Sequence, residues 1–369
     1  MINPHLDYLE SMMKRAMTLA RKGVGRTSPN PPVGCVIARD GKIVGSGWHR
    51  AAGTPHAEIH ALREAGDTAR GSDVFVTLEP CSHFGRTPPC ADALIAAGVG
   101  RVYAGMVDPN PLVAGKGVKQ LRAAGIPTFP GLLEPECRRL IGPFIKQVAT
   151  GLPFVTLKSA LTLDGKTATA GGDSKWITGE LARRHVHRLR YESDALMVGV
   201  ETVLADDPQL TCRLPRGGRD PLRVIVDSRL RTPLDARLFR VRTTATTLIA
   251  TVQQDEARLA PYRALGAEVV SCREEGGRVD LADLLARLGE RGVQSVLVES
   301  GGELAGALLR QGLIDRLIFF YGSKLVGGEG RSPFSGAGVE KMSEAIRLQE
   351  IEVRRFGDDL KVSGYLNRW

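Results

Sequence analysis

Short apolar strands alternate with amphipathic helices along almost the whole 369-residue chain. The apolar runs DVFVTLEP and RVYAGMVDP flank the helical segment ADALIAAG, and FVTLKSALT opens a second series of the same kind. Alternation of strands and helices favours an α/β sandwich in which much of the sheet is parallel. The pattern therefore predicts an α/β protein.

The chain is longer than a usual single domain, and the segment ATGLPF interrupts the alternation near residues 149–153. Gly151 and Pro153 are typical of a domain boundary. We predict two domains, at residues 1–148 and 149–369. The second series of strands is not a repeat of the first, because no internal period relates them.

Two local signals refine the first domain. Asp40-Gly41 joins two apolar runs and predicts a tight hairpin, since both central positions of such a turn need a positive φ. Pro143 lies inside a helical pattern that runs from Glu134 to about Val148, so it is expected to kink that helix or to start a new one.

Composition restricts the location and the partners. No basic N-terminal region precedes an apolar stretch, and no window is long and apolar enough to span a membrane. The six cysteines are thinly spread, unlike those of small secreted proteins, so we expect a reducing, cytoplasmic setting. The net charge of +9 is interleaved with acidic residues, which favours a solvated surface and phosphorylated small molecules over nucleic acid.

A set of metal-binding residue types lies in the first domain. His56 and the pair Cys81 and Cys90 provide one imidazole and two thiolates, which suit tetrahedral zinc with a fourth position left for water. Glu58, two residues beyond the histidine, can sit beside that water without binding the metal. The alternatives are a structural zinc, whose fourth ligand could be His83, and ordinary buried cysteines without a metal.

These residues resemble the cytidine deaminase superfamily, in which H-x-E is followed by P-C-x-x-C. Here PCSHFGRTPPC places eight residues between the cysteines instead of two. That spacing, together with SPNPPVG and GWHRAAGTPHAE, resembles the bifunctional deaminase-reductase family of riboflavin biosynthesis. The resemblance implies a three-layer α/β/α deaminase domain with catalytic Glu58, and substrate contacts from Asn30, His49 and His83.

The second domain resembles the reductase half of the same family in KSALTLDGKTA, GDSKWITG, GVETVLADDPQLTCR and VESGGELAGALL. The resemblance implies a fold similar to dihydrofolate reductase and the use of NADPH. The implied NADPH contacts are Ala160, Trp176, Thr202, Asp206, Ser228, Gly301, Gly302, Glu303, Leu304, Ala305, Gly306 and Ala307. The implied contacts to a phosphorylated pyrimidine are Ser174, Arg190, Leu210, Arg213 and Glu299.

Without the resemblance, the residue types of the second domain support the NADPH and substrate contacts only in part. Backbone N–H groups of the helix that starts near Gly301 could bind a phosphate, but the glycines do not match the G-x-G-x-x-G dinucleotide motif. Arg190 lies in ARRHVHRLR, where a solvated helix face is the usual explanation. Lys158 and Asp164 are further polar candidates.

We therefore expect a bifunctional enzyme that deaminates a phosphorylated diaminopyrimidine and then reduces its ribosyl group, with Zn²⁺ and NADPH as cofactors. We expect a homo-oligomer without membrane or nucleic-acid partners. One rival is a tRNA deaminase with an accessory domain, because residues 1–148 hold 18 basic and 12 acidic side chains. Another is that one half has lost catalysis and serves as a binding or oligomerisation module.

Overall fold

A computed structural model describes residues 4–83, 88–111, 113–215 and 217–366 of the chain. The chain forms two compact units, Met1–Gly151 and Leu152–Arg368. The division falls in the ATGLPF segment, where the sequence pattern is interrupted. Each unit has its own sheet and its own hydrophobic core.

The N-terminal unit contains one mixed sheet and the helices that cover it. Its strands are β1 (Gly34–Arg39), β2 (Lys42–Trp48), β3 (Asp73–Val76), β4 (Arg101–Ala104) and β5 (Thr128–Pro130). Its helices are α1 (Pro4–Ala20), α2 (Ala57–Ala65), α3 (Cys90–Ala97), α4 (Lys116–Ala123), α5 (Glu134–Leu140) and α6 (Gly142–Thr150), with a 3₁₀ turn at Gly66–Ala69. The sheet order is β2-β1-β3-β4-β5, antiparallel on both sides of β1 and parallel from β3 to β5.

Helices cover both faces of this sheet. On one face α2, α3 and α4 pack against Ile37, Val74 and Val102. On the other, α1, α5 and α6 pack against Val36 and Phe75. Neighbouring residues of a strand point to opposite faces, which is why Val36 and Ile37 belong to different cores. The predicted three-layer α/β/α arrangement is confirmed.

Local turn chemistry gives the predicted connections in this unit. Asp40 and Gly41 form the turn between β1 and β2 with φ of 50° and 77°. Pro143 lies in the first turn of α6, so it starts a new helix after α5. Both positions follow from backbone sterics, which the sequence carries locally.

The C-terminal unit contains a longer series of the same elements. Its strands are β6 (Phe154–Thr162), β7 (Ala195–Gly199), β8 (Leu222–Val226), β9 (Thr247–Thr251), β10 (Ala267–Ser271), β11 (Glu274–Glu275), β12 (Arg278–Val279), β13 (Ser295–Val298), β14 (Arg316–Gly322), β15 (Gln349–Phe356) and β16 (Asp359–Tyr365). Its helices are α7 (Glu180–Glu192), α8 (Val200–Asp206), α9 (Arg237–Arg240), α10 (Glu256–Ala264), α11 (Leu281–Glu290) and α12 (Gly302–Arg310), with a 3₁₀ turn at Met342–Glu344.

Nine of these strands form one sheet in the order β10-β9-β8-β7-β13-β6-β14-β16-β15. The strands from β10 to β14 are parallel, and β16 and β15 add an antiparallel hairpin at one edge. Leu284 of α11 and Leu308 of α12 belong to one core, whereas Leu238 of α9 and Tyr262 of α10 belong to another.

Because the strands from β10 to β14 are parallel, their carboxyl ends lie at one edge of the sheet, where open α/β sheets bind ligands.

None of the helices in the described parts of the chain is long and apolar enough to cross a membrane.

Candidate active sites

The predicted zinc ligands come together at the ends of two helices. His56 directly precedes α2, Cys90 is the first residue of α3, and Cys81 lies in the loop after β3. Nδ1 of His56 lies 3.5 Å from Sγ of Cys81 and 3.3 Å from Sγ of Cys90. All three ligand atoms lie within 4.8 Å of one another. This donor set fits tetrahedral zinc with one open position.

Cys81 is held by backbone as well as by its neighbours. The N–H of Cys90, at the start of α3, donates to Sγ of Cys81 over 3.3 Å. The hydrogen bond with Cys90 and the nearby His56 outweigh burial and lower the pKa of Cys81 to about 4. An easily formed thiolate is what a zinc site needs.

Glu58 lies in the first turn of α2, and only 3% of its surface is exposed. Burial, and then the negative charge of Cys81, raise the pKa of Glu58 to about 7. Its Oε2 atom has no hydrogen-bond partner among the described residues. A buried carboxylate with one oxygen unpaired among the described residues, beside an open metal position, is suited to accept and return protons.

A cavity of about 460 Å³ opens next to these residues. Asn30 and His49 line it, and Nδ2 of Asn30 lies 3.3 Å from Nε2 of His49. The carbonyl of Pro55 lies 3.3 Å from Nδ1 of His49, so Nδ1 carries the proton and Nε2 accepts from Asn30. The cavity is of a size that encloses a small molecule.

His83 also lines this cavity and is exposed, but it does not belong to the group of three ligand residues. The part of the chain that the structure describes therefore offers no fourth ligand of the structural-zinc alternative. Phe84 to Thr87, between the two cysteines, lie outside the described residues.

Sequence reasoning missed two polar residues of the cavity, Asp108 and Asn110. They lie in the VDPN segment after β4, and the strand before them is the only signal that could have found them. Glu79 was missed as well. Its carboxylate accepts hydrogen bonds from the N–H groups of Asp108, Gly115 and Val118 and so fixes the loop that carries the cavity residues.

The C-terminal unit brings together three charged residues that are distant in sequence. Arg190 of α7 donates to Glu299 from Nε over 2.7 Å and from Nη2 over 3.0 Å. Nζ of Lys158 lies 3.7 Å from Oε2 of Glu299, because pairing of Val298 with Leu157 places the next residues side by side. We call Lys158, Arg190 and Glu299 the charged triad.

The charged triad is almost enclosed: 13% of the Arg190 side chain and 12% of the Glu299 side chain are exposed. The solvated-face explanation of Arg190 is therefore wrong. Burial acts to raise the pKa of Glu299, but the charges of Arg190 and Lys158 outweigh it and bring the pKa down to about 2. Burial lowers the pKa of Lys158, against the attraction of Glu299. Two cations thus surround one carboxylate, and the triad carries an excess positive charge.

A cavity of about 1240 Å³ surrounds the triad at the carboxyl ends of the parallel strands. Most of the predicted cofactor and substrate residues line it, namely Ala160, Ser174, Arg190, Thr202, Asp206, Leu210, Ser228, Glu299, Gly301, Gly302, Glu303, Leu304 and Ala307.

Four predicted residues do not line this cavity. Ala305 and Gly306 are buried within α12, where Ala305 belongs to the core. Trp176 is 63% exposed, with the guanidinium of Arg183 over its ring. Arg213 contacts Gln209 and His187 instead.

Asp164 has a structural environment. Its carboxylate accepts hydrogen bonds from the Thr162 hydroxyl and from the N–H groups of Val326 and Gly327. The hydrogen bond from Thr162, followed by that from Gly327, lowers the pKa of Asp164 to about 2. These contacts tie the turn after β6 to the segment after β14.

Comparisons with known proteins show which family the two domains belong to. Residues 7–106 match the cytidine and deoxycytidylate deaminase zinc-binding region, and residues 153–362 match the RibD C-terminal domain. The riboflavin biosynthesis protein RibD of Actinobacillus pleuropneumoniae is 45% identical over 96% of this chain and 93% of its own length. The chain belongs to the RibD family. Its function is thus the bifunctional deaminase and reductase function of riboflavin biosynthesis.

Solved structures of the RibD family share the whole architecture. RibD of Acinetobacter baumannii matches with a TM-score of 0.87 and 40% identity, covering 98% of this chain and 100% of the other. A diaminohydroxyphosphoribosylaminopyrimidine deaminase/5-amino-6-(5-phosphoribosylamino)uracil reductase of Thermotoga maritima matches with a TM-score of 0.86 and 38% identity, covering 98% and 99%. The expected fold class and the expected cofactors, Zn²⁺ and NADPH, are confirmed by RibD membership.

Proposed function

We propose that His56, Cys81 and Cys90 bind the zinc ion and that Glu58 transfers the protons of the deamination. The observation that carries this proposal is the group of three ligand atoms beside a buried carboxylate oxygen without a partner. When bound, zinc supplies a water molecule acidic enough to act as a nucleophile near neutral pH. Glu58 accepts the proton of that water and returns it to the departing ammonia.

The substrate of this site is 2,5-diamino-6-(5-phosphoribosylamino)pyrimidin-4(3H)-one, which loses its 2-amino group. Asn30 and His49 position the ring from the cavity wall, because their hydrogen bond fixes the amide and the imidazole relative to each other. His83, exposed at the cavity, contacts the more polar part of the substrate.

In the second domain we propose that the charged triad and Ser174, Leu210 and Arg213 bind the deaminated intermediate. The excess positive charge of Lys158 and Arg190 over Glu299 suits a phosphorylated sugar. NADPH, when bound, supplies the hydride that reduces the ribosyl group to ribityl. The carboxylate of Glu299 holds both cations in place.

The NADPH site follows the carboxyl edge of the sheet. Ala160, Thr202, Asp206 and Ser228 lie along this edge, and α12 starts at Gly302. We assign Gly301 to Ala307 and Trp176 to the same site on the family resemblance. The hydroxyl of Ser300 is buried without a hydrogen-bond partner among the described residues and lines the cavity at the start of α12. Free N–H groups of a helix start and such a hydroxyl suit a pyrophosphate.

The test is to incubate the purified protein with the diaminopyrimidinone phosphate, with and without NADPH, and to follow the mass of the product. We expect exchange of one NH for O without NADPH, and a further gain of two hydrogens with it. An unchanged mass in both reactions would contradict the proposal. If deamination is retained and no reduction follows, the proposal holds for the N-terminal half alone. That result would support the alternative that the second half serves as a binding or oligomerisation module.

We propose domain limits of 1–148 and 149–369, a cytoplasmic location, and a small-molecule substrate in place of nucleic acid. The six cysteines are all free, which suits a reducing compartment. Binding to RNA that weakens steeply with salt would contradict the choice of substrate.

We also propose a homo-oligomer. The edge strand β15 exposes 60% of Ile351 and 61% of Val353, and such an edge is suited to pair with another chain. Light scattering after size-exclusion chromatography gives the mass in solution, and a strictly monomeric protein would contradict this point.

A further inference from the structure

The large cavity of the C-terminal unit extends across several strands of the sheet. At one end lies the charged triad, on β6, on α7 and directly after β13. Residues of the turn after β8 lie at another part of the cavity, and β7 separates β8 from β13 in the sheet. Two strand spacings separate β8 from β13 and three separate it from β6, so the turn and the triad face the cavity about 10 to 15 Å apart.

α12 follows β13, and β13 lies between β8 and β6 in the sheet. If the reacting end of the cofactor lies beside the triad and its pyrophosphate at α12, the adenosine end extends toward β7 and β8. Thr202 of α8 and Ser228 after β8 lie in that direction. This layout depends on the NADPH site proposed above.

The turn after β8 has a fixed conformation. Asp227 is fully buried, and its carboxylate accepts hydrogen bonds from the N–H and the hydroxyl of Thr232 at 2.7 Å. The hydroxyl of Tyr262 donates to the carbonyls of Leu230 and Thr232. The turn therefore directs its first carboxylate into the protein, away from the cavity. Sites that prefer NADH commonly aim a carboxylate at the 2′-hydroxyl of the adenosine ribose, whereas NADPH sites place an arginine there.

Among the described residues of this turn, Arg229 is the exposed cation whose side chain could bind a ligand. It lines the cavity, and its guanidinium has no hydrogen bond or ion pair with any of the described residues. Its main-chain carbonyl accepts a hydrogen bond of 2.7 Å from Arg258, which anchors the backbone at this position.

The other cations of the cavity wall are mostly engaged. Arg231 pairs with Glu201 over 2.5 Å, and Arg278 pairs with Glu303 over 3.0 Å. Lys175 pairs with Asp206, and Arg310 donates to the carbonyl of Ser335. The guanidinium of Arg331 also has no hydrogen bond or ion pair with a described residue. Arg331 follows β14, however, and forms a β-bridge to Ala168, on the far side of the triad from β8.

We propose that Arg229 binds the 2′-phosphate of NADPH and determines the preference for NADPH over NADH. The guanidinium provides two parallel donors that match phosphate oxygens, and it forms no ion pair with a carboxylate of the described residues. NADH lacks this phosphate and gains nothing from Arg229.

The test compares Arg229→Gln with the wild-type protein in calorimetric binding of four ligands: NADPH, NADH, 2′,5′-ADP and 5′-AMP. We expect roughly 10- to 100-fold weaker binding of NADPH and 2′,5′-ADP, as for loss of a charged hydrogen-bonding partner, and a change below about twofold for NADH and 5′-AMP. Thermal unfolding of the variant should match that of the wild type, because the Arg229 side chain is exposed and loses no hydrogen bond or ion pair to a described residue.

Two further variants test whether the effect is specific to Arg229. Arg263→Gln removes an exposed arginine that pairs with Glu256 on α10, outside the cavity wall, and should leave all four affinities unchanged. Arg331→Gln removes the other available cation. The inference would be overturned if Arg331→Gln lost the preference for NADPH and Arg229→Gln kept it. It would also be overturned if Arg229→Gln weakened the binding of NADPH and of NADH equally. A wild-type protein that binds neither dinucleotide would instead contradict the proposed reductase function.

Discussion

Glu58 and Glu299 are both buried carboxylates, yet their surroundings shift their pKa values in opposite directions. Burial and the negative charge of the neighbouring Cys81 disfavour the ionised form of Glu58, and the pKa of Glu58 rises to about 7. Glu299 is buried too, but Arg190 and Lys158 lie beside it, and its pKa falls to about 2. One carboxylate is therefore free to exchange protons, while the other is a permanent charge that orders two cations.

Replacement of Glu58 by Gln should abolish deamination without loss of zinc. The amide keeps the shape of the side chain but cannot accept a proton, so we expect the deamination rate to fall on the order of 100-fold or more. Zinc content by atomic absorption and product mass provide the two readouts. Arg63→Gln, on the exposed side of the same helix, is the control and should retain full activity, because its side chain forms no hydrogen bond or ion pair with a described residue. Full deamination by the Glu58 variant would remove it from the mechanism.

Replacement of Glu299 by Gln should destabilise the C-terminal unit. It leaves two cations with a neutral neighbour, and loss of one partner of a buried ion pair lowers the free energy of unfolding by about 3 kcal/mol. Because the pKa of Glu299 is depressed from 4.5 to about 2, its contribution is fully present above pH 4.5 and is lost as the pH falls toward 2.

Urea unfolding between pH 8 and 3 measures this difference. It should be constant down to about pH 5 and shrink below that. Glu180→Gln, in an exposed pair with Arg184, should leave the free energy of unfolding nearly unchanged at every pH, because surface ion pairs contribute little. A difference between wild type and the Glu299 variant that is as large at pH 3 as at pH 7 would show that the charge of Glu299 is not the cause.

At the level of secondary-structure elements, close packing of β2 against α2 positions the metal site. A Cβ atom at Gly47 would lie 2.3 Å from the carbonyl oxygen of Ala57, in the first turn of α2. Only glycine allows the helix that carries Glu58 to approach the strand this closely. The glycines of KIVGSGW thus have a role in the site although they do not face the cavity.

Gly47→Ala should therefore push the start of α2 away from the sheet. We expect weaker zinc binding and a deamination rate reduced on the order of 10- to 100-fold, since small displacements of catalytic groups have effects of that size. Gly41→Ala is the matched control in the same hairpin: no atom lies within 4 Å of its Cβ, so it should cost only about 1 kcal/mol for its positive φ. Equal zinc affinities of the two variants would contradict this account.

Local signals in the sequence are enough to predict many helices, strands and turns, but not all of them. The turn at Asp40-Gly41 and the new helix at Pro143 depend on backbone sterics alone. The hairpin of β15 and β16 was not predicted, because QEIEVRRF alternates over only five residues and its apolar residues Ile351 and Val353 are exposed instead of facing a core. The pairing of Arg190 with Glu299 joins residues 109 positions apart, so no local pattern could distinguish this buried arginine from the solvated ones on α7.

At the level of the whole molecule, two units with separate cores are predicted to carry two separate cofactors. The proposed zinc ligands all lie within Met1–Gly151, and every described residue that lines the cavity of the charged triad belongs to Leu152–Arg368. A ligand that binds only the folded form stabilises it by RT ln(1 + [L]/Kd), which is about 2.7 kcal/mol at 100 times Kd. Each cofactor should therefore stabilise one unit.

Differential scanning calorimetry can separate these effects. We expect two transitions, of which removal of zinc by a chelator lowers one and saturation with NADPH raises the other, by roughly 5 to 10 °C for units of this size. Cys81→Ser should lower the first transition and remove its response to zinc, while the NADPH shift of the second persists. The opposite pairing, or a single transition that responds equally to both cofactors, would contradict the assignment of one cofactor to each unit.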